Sequence, residues 1–282
     1  MTSLTPSRQS QIEPGREQGR SHPAAISSTV AKAFGIVDIL ASRVETGFSL
    51  AELSAMIGMP KSTTHRYLAT LLELGLAERS STDRFRLGTK VIELAGSFLA
   101  NSDLRNESQP ILLELAENTG ETIHLSVPSG TEVVYIAKIE SRHTWGMFSH
   151  IGTRLPMYCT ALGKATLAFS AGNLLQKVLA EPLKPRTPNT ITSAQALEAE
   201  LAFIRSQGFA IDEEENEVGI CCTGAPILDY TGLAIAAISV SGPRERMDRE
   251  RCIQLGPSVR EAAQRISKRR GFVGDKNHEG EA

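Results

Sequence analysis

The stretch GMPKSTTHRYLATLLELGL, residues 58–76, decides the fold of the first half of this 282-residue chain. Leucines recur along one side, and the segment begins with small hydroxyls and cations, with no acid until Glu73. Pro60 suits the first turn of a helix, where its missing amide hydrogen costs nothing. Tyr67, Leu68, Leu71, Leu72 and Leu74 supply the apolar side, and Gly75 marks the stop. The other side carries Lys61, Ser62, Thr63, Thr64, His65, Arg66 and Thr70. Hydroxyls and cations at a helix start suit a major-groove reader, because amides and hydroxyls meet phosphate while the first turns reach base edges.

The flanking segments support that reading. Upstream, TVAKAFGIVDILAS (29–42) places Val30, Phe34, Val37 and Leu40 on one stripe, widened by Ala33 and Ile39, which predicts a core-facing helix. Ser49 followed by Glu52 is a capping-box pattern opening a short helix that Gly58 ends. Downstream, LAERSSTDRFRLG reads as a hairpin wing carrying Arg79, Arg84 and Arg86. Residues 24–86 are thus expected to form a winged helix-turn-helix, with Lys61, Ser62, Thr63, Thr64, His65, Arg66, Arg84 and Arg86 facing DNA. A protein-docking winged helix has the same outline, and eight Lys or Arg against eight Asp or Glu in residues 24–103 give no charge argument. Distribution favours DNA: between Met59 and Leu72 stand two Lys or Arg and no acid.

Composition sets wider limits. Length favours two globular units, apolar content of 41% supports real cores, and a net charge of -2 says nothing about a polyanionic partner. Residues 1–23 lack an apolar signal-peptide region and read as a disordered tail, as do 273–282; Arg8, Arg16 and Arg20 lie in the first. No apolar run is long enough to span a bilayer, so no membrane partner is expected. Cys159, Cys221, Cys222 and Cys252 have the spacing of neither a disulfide framework nor a zinc ribbon, which fits a cytoplasmic protein.

Residues 87–103 read as a linker helix and 104–119 as a further helix. Then ETIHLSVPSG and TEVVYIAKIES alternate as a hairpin. Residues 161–180 and 193–207 are helical, FAIDEEE, EVGICCTGAPILD and LAIAAISVSG return to strand, and a last helix runs from about 247 to 269. Strands, helices and strands again predict an α+β domain over 104–272. No cofactor motif emerges: ALGKAT glances at a phosphate loop, but position 158, where a Walker pattern needs Gly, is Tyr. Cys159 or Cys222 with His124, His143 or His150 has no recognised metal-ligand spacing. Cys222 with Asp212 is the pairing an enzyme reading would use, and the acidic run 213–217 reads as a solvated loop.

The combination SLAELSAMIGMPKSTTHRYLATLLELGLAER and FRLGTKVIELAG resembles the N-terminal half of IclR-type bacterial transcriptional regulators. GTRLPMYCTALGKATLA, GFAIDEEENEVGICCTGAPILDYTG and IAAISVSGP resemble their C-terminal half, and the likeness runs from about residue 24 to 272. It implies a GAF/PAS-like effector domain, a homodimer or homotetramer on operator DNA, and a small organic-acid effector. The effector positions it implies are Thr160, Ala161, Leu162, Gly163, Asp212, Cys222, Ser239 and Ser241, with Thr160 standing where the family often has a smaller residue. Amides near 160–163 at a helix start suit a carboxylate, and Ser239 and Ser241, two apart on a strand, share a face. ETIHL, VVYIAKIES, NTITS and EEENEVGICC look like the branch answering to sugar acids such as 2-keto-3-deoxygluconate, with aromatic or aliphatic acids and an activator role as the alternatives. Trp145, Met147 and Phe148 are expected at the pocket or at a dimer contact.

Overall fold

A computed structural model describes residues 28–43, 46–100, 103–143 and 149–272. The expectations for both tails and for Trp145, Met147 and Phe148 lie outside the described residues. The chain divides between Ala95 and Gly96 into two units.

In the first unit, α1 (Ser28–Ala41), α2 (Leu50–Ile57) and α3 (Lys61–Glu73) precede a hairpin of β1 (Ala77–Arg79) and β2 (Phe85–Leu87). The capping box closes: Ser49 N–H donates to Glu52 Oε2 at 2.7 Å and Glu52 N–H donates to Ser49 Oγ at 3.3 Å. The Ser49 amide and hydroxyl hold the Glu52 carboxyl down to about 2. Gly58, at φ 69°, ends α2 in the left-handed conformation that a residue without Cβ adopts freely. Pro60 stands just before the first helical residue rather than in the first turn. Phe48 bonds Phe85 through both backbone groups, tying the loop before α2 to the wing. The core is Ile36, Leu40, Leu53, Leu68, Leu71 and the two phenylalanines.

The α1 stripe is rotated from its expected position. Ile36 and Leu40 are buried, whereas Val30 and Phe34, one turn apart, are 55% and 58% exposed. Leu74 is likewise exposed, because it caps α3 beyond the core contact. Next comes α4 (Lys90–Ala100), on which Ile92 and Leu94 are exposed.

The second unit opens with α5 (Asp103–Thr119) and the hairpin of β3 (Thr122–Ser129) and β4 (Glu132–Ile139). A short β5 (Arg154–Pro156) and a single 3-10 turn lead into α6 (Ala161–Ala168). The expected helix over 161–180 is two helices, α6 and α7 (Leu174–Leu179), broken around Gly172. Then follow α8 (Ala194–Gln207), β6 (Ala210–Glu213), β7 (Ile220–Leu228), β8 (Ala234–Pro243) and α9 (Arg249–Arg269). Among the described residues the strands form one antiparallel sheet in the order β5-β4-β3-β8-β7-β6.

Alternation along the central strands gives the sheet two unlike faces. Ile123, Leu125, Ile238, Val240 and Ala225 pack with α5 and α9 in one apolar core. On the other face, α6 and α8 cover Val133, Ala210 and Ala237, leaving the polar ends of β6, β7 and β8 to line a cavity. Gly224 permits this packing, since a Cβ there would lie 3.2 Å from that of Ala161.

Candidate functional sites

On α3, Lys61, Ser62, His65, Arg66 and Thr70 are exposed and Thr63 is half-buried. Lys61 and Arg66 make no salt bridge among the described residues. Thr64 does not belong on that face. It is fully buried, its hydroxyl donating to the Pro60 carbonyl at 3.2 Å, so its methyl packs inward while its polar atom is satisfied within the helix. The wing cations are committed within the unit. Arg84 donates to the Thr46 carbonyl at 2.8 Å and to Glu52 at 2.9 Å, and Arg86 pairs with Glu78 at 2.9 Å. They brace the wing against α2 and β1, whereas Lys61 and Arg66 offer uncompensated charge.

The cavity in the second unit has a volume of about 560 Å³. Thr160, Ala161, Leu162, Asp212, Cys222, Ser239 and Ser241 line it, so seven of the eight residues implied by the resemblance converge on one space from four elements. Gly163 is the exception. Its amide donates to the Thr160 hydroxyl at 3.1 Å, and a Cβ there would lie 2.3 Å from the Met157 Cα. Gly163 lets the helix start pack against the preceding turn and does not line the cavity.

Thr160 is the N-cap of α6, donating to the Pro156 carbonyl at 2.9 Å while accepting from Gly163. The capped helix start presents Ala161 and Leu162, whose amides have no intrahelical acceptor, together with the positive end of the helix dipole. A carboxylate fits there. Ser239 and Ser241 do share a face, with their hydroxyls 3.2 Å apart. Asp212 accepts from the Glu215 amide at 2.7 Å. Burial, with Glu215 beside it, pushes the Asp212 carboxyl up to about 7. Burial and Asp212 push the Cys222 thiol well above its ordinary range. A thiol held protonated in this way is a weak nucleophile.

Several residues of this site were not singled out as effector contacts in the sequence. Tyr135 lines the cavity and stacks on His124 at 4.3 Å between ring centroids. His124 bonds Ser149 at 2.7 Å, and burial, then the Lys138 charge, holds its ring down to about 3 and therefore neutral. Among the described residues no three His, Cys, Asp or Glu lie close enough to hold a metal ion.

The acidic run 213–217 is not a solvated loop. Glu214 and Glu215 are buried, the first paired with Arg244 and the second with Lys164. Lys164 is fully buried and also reaches Glu200 at 3.0 Å. Burial disfavours the ammonium, but the two carboxylates outweigh it and hold the Lys164 pKa above the usual lysine value. The loop is fastened further by Thr187 and Thr190, whose hydroxyls each donate 2.6 Å bonds to the carbonyls of Glu214 and Glu215 respectively. A carboxylate is rarely buried unless paired, which is why the run looked exposed in the sequence.

Two family models cover these two units: the IclR helix-turn-helix domain matches residues 29–81, and the bacterial transcriptional regulator IclR C-terminal domain matches residues 96–268. The chain belongs to the IclR family. It is a DNA-binding transcriptional regulator. It is 37% identical over 252 residues to the HTH-type transcriptional regulator KdgR of Escherichia coli (strain K12), spanning 89% of this chain and 95% of that one. It is 34% identical over 263 residues to the DNA-binding transcriptional repressor YiaJ of the same organism, spanning 91% and 92%. The crystal structure of the Thermotoga maritima IclR protein matches 86% of this chain and 99% of its own, with a TM-score of 0.70 and 36% identity. The α+β fold with an N-terminal helix-turn-helix is therefore that of the family, and no described helix is long and apolar enough to cross a membrane.

Proposed function

We propose that this IclR-family chain is a cytoplasmic repressor that leaves its operator when a small organic acid fills the cavity of the second unit. One observation carries the reading: seven residues from β6, β7, β8 and the start of α6 converge on one cavity of about 560 Å³. A chamber of that size, with a few convergent polar groups, is what small-molecule sites look like. In this reading Ala161 and Leu162 amides hold a carboxylate, Ser239 and Ser241 bond its neighbouring oxygens, and the role is sensing rather than catalysis. Repression rather than activation is favoured by relatives named as repressors. A sugar acid such as 2-keto-3-deoxygluconate is the favoured effector class, because the wall is hydroxyl-rich and the cavity exceeds what a two- or three-carbon acid fills.

Residues 24–86 bind DNA and 104–272 the effector, with 87–103 as the linker. Lys61, Ser62, Thr63, His65 and Arg66 face DNA. A symmetric dimer on a two-fold operator follows from the one half-site that a winged helix reads. Exposed Val30, Phe34, Ile92 and Leu94 are apolar surface that a second copy would cover. The acid must favour one arrangement of the linkers, since equal affinity for both shifts nothing.

Two substitutions test the halves separately. Arg66→Ala weakens specific operator binding by roughly 1–3 kcal/mol if the guanidinium reads a base, measured by fluorescence anisotropy against a scrambled duplex. Unchanged binding removes Arg66 from the interface. Ser239→Ala with Ser241→Ala removes acid binding in calorimetry and leaves operator affinity unchanged. Undiminished acid affinity would show that the serines are not the site.

A further inference from the structure

One residue of the cavity wall is built for recognition but was not anticipated from the sequence. Arg246 lines the cavity from the turn that follows β8. Its Nε donates to Glu121 Oε1 at 2.7 Å and its Nη2 to Glu121 Oε2 at 2.9 Å. Such a bidentate clasp fixes the plane of the guanidinium. Glu121 is itself 5% exposed and lies beside Gly242, where a Cβ would come within 2.7 Å of its Oε2. The glycine leaves room for the carboxylate, and the carboxylate holds the arginine. Nη1 makes no hydrogen bond among the described residues.

Arg246 does not face the helix start directly. Ala161 packs over Gly224, which pairs with Ser239, and three residues further along β8 lies Gly242 beside Glu121. At about 3.3 Å per residue, Ser239 by the helix start and Gly242 by the clasp are roughly 10 Å apart along the strand. A three-carbon acid, at about 1.2 Å per backbone-like bond, spans only a fraction of that.

The charge around the clasp decides what the far end of a longer acid must be. Glu217 and Glu245 also line the cavity, and neither forms a salt bridge among the described residues. Arg244 is committed to Glu214, and His143 approaches Glu121 at 3.8 Å. Arg246 is thus one cation beside two carboxylates, Glu121 and Glu245, with Glu217 elsewhere on the same wall. A second carboxylate on the ligand would meet net negative charge there. A hydroxyl both donates and accepts, so it satisfies Glu217 or Glu245 as acceptor and Arg246 or Asn216 as donor.

We propose that Arg246, fixed by Glu121, is a specificity-determining residue that selects acids with a hydroxylated tail over short acids and over acids ending in a second carboxylate. The proposal rests on the effector-binding reading above. Three probes share one 2-keto acid head: pyruvate has no tail, 2-oxoglutarate has a carboxylate tail, and 2-keto-3-deoxygluconate has a hydroxylated one. Calorimetry on the full chain is expected to show the hydroxylated acid binding at least tenfold tighter than the other two. Arg246→Ala removes that tenfold advantage and leaves pyruvate within twofold. Glu217→Gln with Glu245→Gln, which leaves the Arg246–Glu121 clasp intact, narrows the penalty on 2-oxoglutarate at least threefold and carries the test even if Arg246→Ala does not fold.

An equal loss for all three acids in Arg246→Ala would make Arg246 a structural residue and overturn the proposal, as would an unchanged preference in the glutamine variant. Binding of pyruvate with no gain from either tail would overturn this inference alone. Binding of none of the three to the unaltered chain would overturn it together with the sugar-acid reading beneath it.

Discussion

Replacing Lys164 with Met lowers the stability of the second unit by about 3–5 kcal/mol, as expected when one partner of a buried ion pair is removed and the other is left charged. Lys164 is 0% exposed and serves two carboxylates, Glu215 in the loop after β6 and Glu200 on α8. The substitution strands Glu215, which is 8% exposed, and the loop can recover only by opening to water. Urea unfolding at pH 7 measures the loss. The double variant Lys164→Met with Glu215→Gln recovers a large part of it, because neither charge is then left alone. A loss under 1 kcal/mol in the single variant would mean that water already reaches the pair. Lys164 sits in the first turn of α6, the helix whose start lines the cavity, so acid binding weakens along with stability.

Asp212→Asn is expected to stabilise the chain above neutral pH. Burial first, and Glu215 second, raise the Asp212 pKa from 3.8 to about 7. An acid whose folded pKa lies above its unfolded one is tolerated when protonated and costs stability when charged. Its full contribution is therefore present below about pH 4, declines as pH rises from 4 to 7, and levels off above. Three units at roughly 1.4 kcal/mol each give about 4 kcal/mol. Asparagine keeps an oxygen for the Glu215 amide and cannot ionise. The variant should match the parent at pH 4 and exceed it by about 2–4 kcal/mol at pH 8 in thermal or urea unfolding. An identical pH slope in both proteins would place the Asp212 pKa near its ordinary value. The same charge bears on the ligand: an anionic effector binds beside a neutral Asp212 more readily, so acid affinity should fall as pH rises through 7.

What the sequence conveyed depended on range. Features set within one turn or one strand were legible: the Ser49–Glu52 capping box, the Gly58 stop, the leucine side of α3, and the two-residue spacing that puts Ser239 and Ser241 on one face. Thr64 misled because a threonine can bury its methyl while its hydroxyl bonds four residues back to Pro60, and nothing local distinguishes that from an outward hydroxyl. The α1 stripe misled because Val30 and Phe34 obey helical spacing yet lie outside this unit's core, consistent with a face kept for another copy. Long-range charge was invisible. Lys164 meets Glu215 across 51 positions, and Arg246 meets Glu121 across 125. Only the fold brings them together, and with them the parts of the cavity that the family resemblance did not name.

The most direct test of the account is an anisotropy titration of the full chain on the duplex upstream of its own coding sequence, at several salt concentrations, with and without 2-keto-3-deoxygluconate. The account predicts specific, salt-sensitive binding that the acid reverses, and loss of that reversal but not of the binding in Ser239→Ala with Ser241→Ala. Operator binding that stays the same while calorimetry shows the acid bound would contradict it, because an effector that fills the cavity without shifting the DNA equilibrium is no effector.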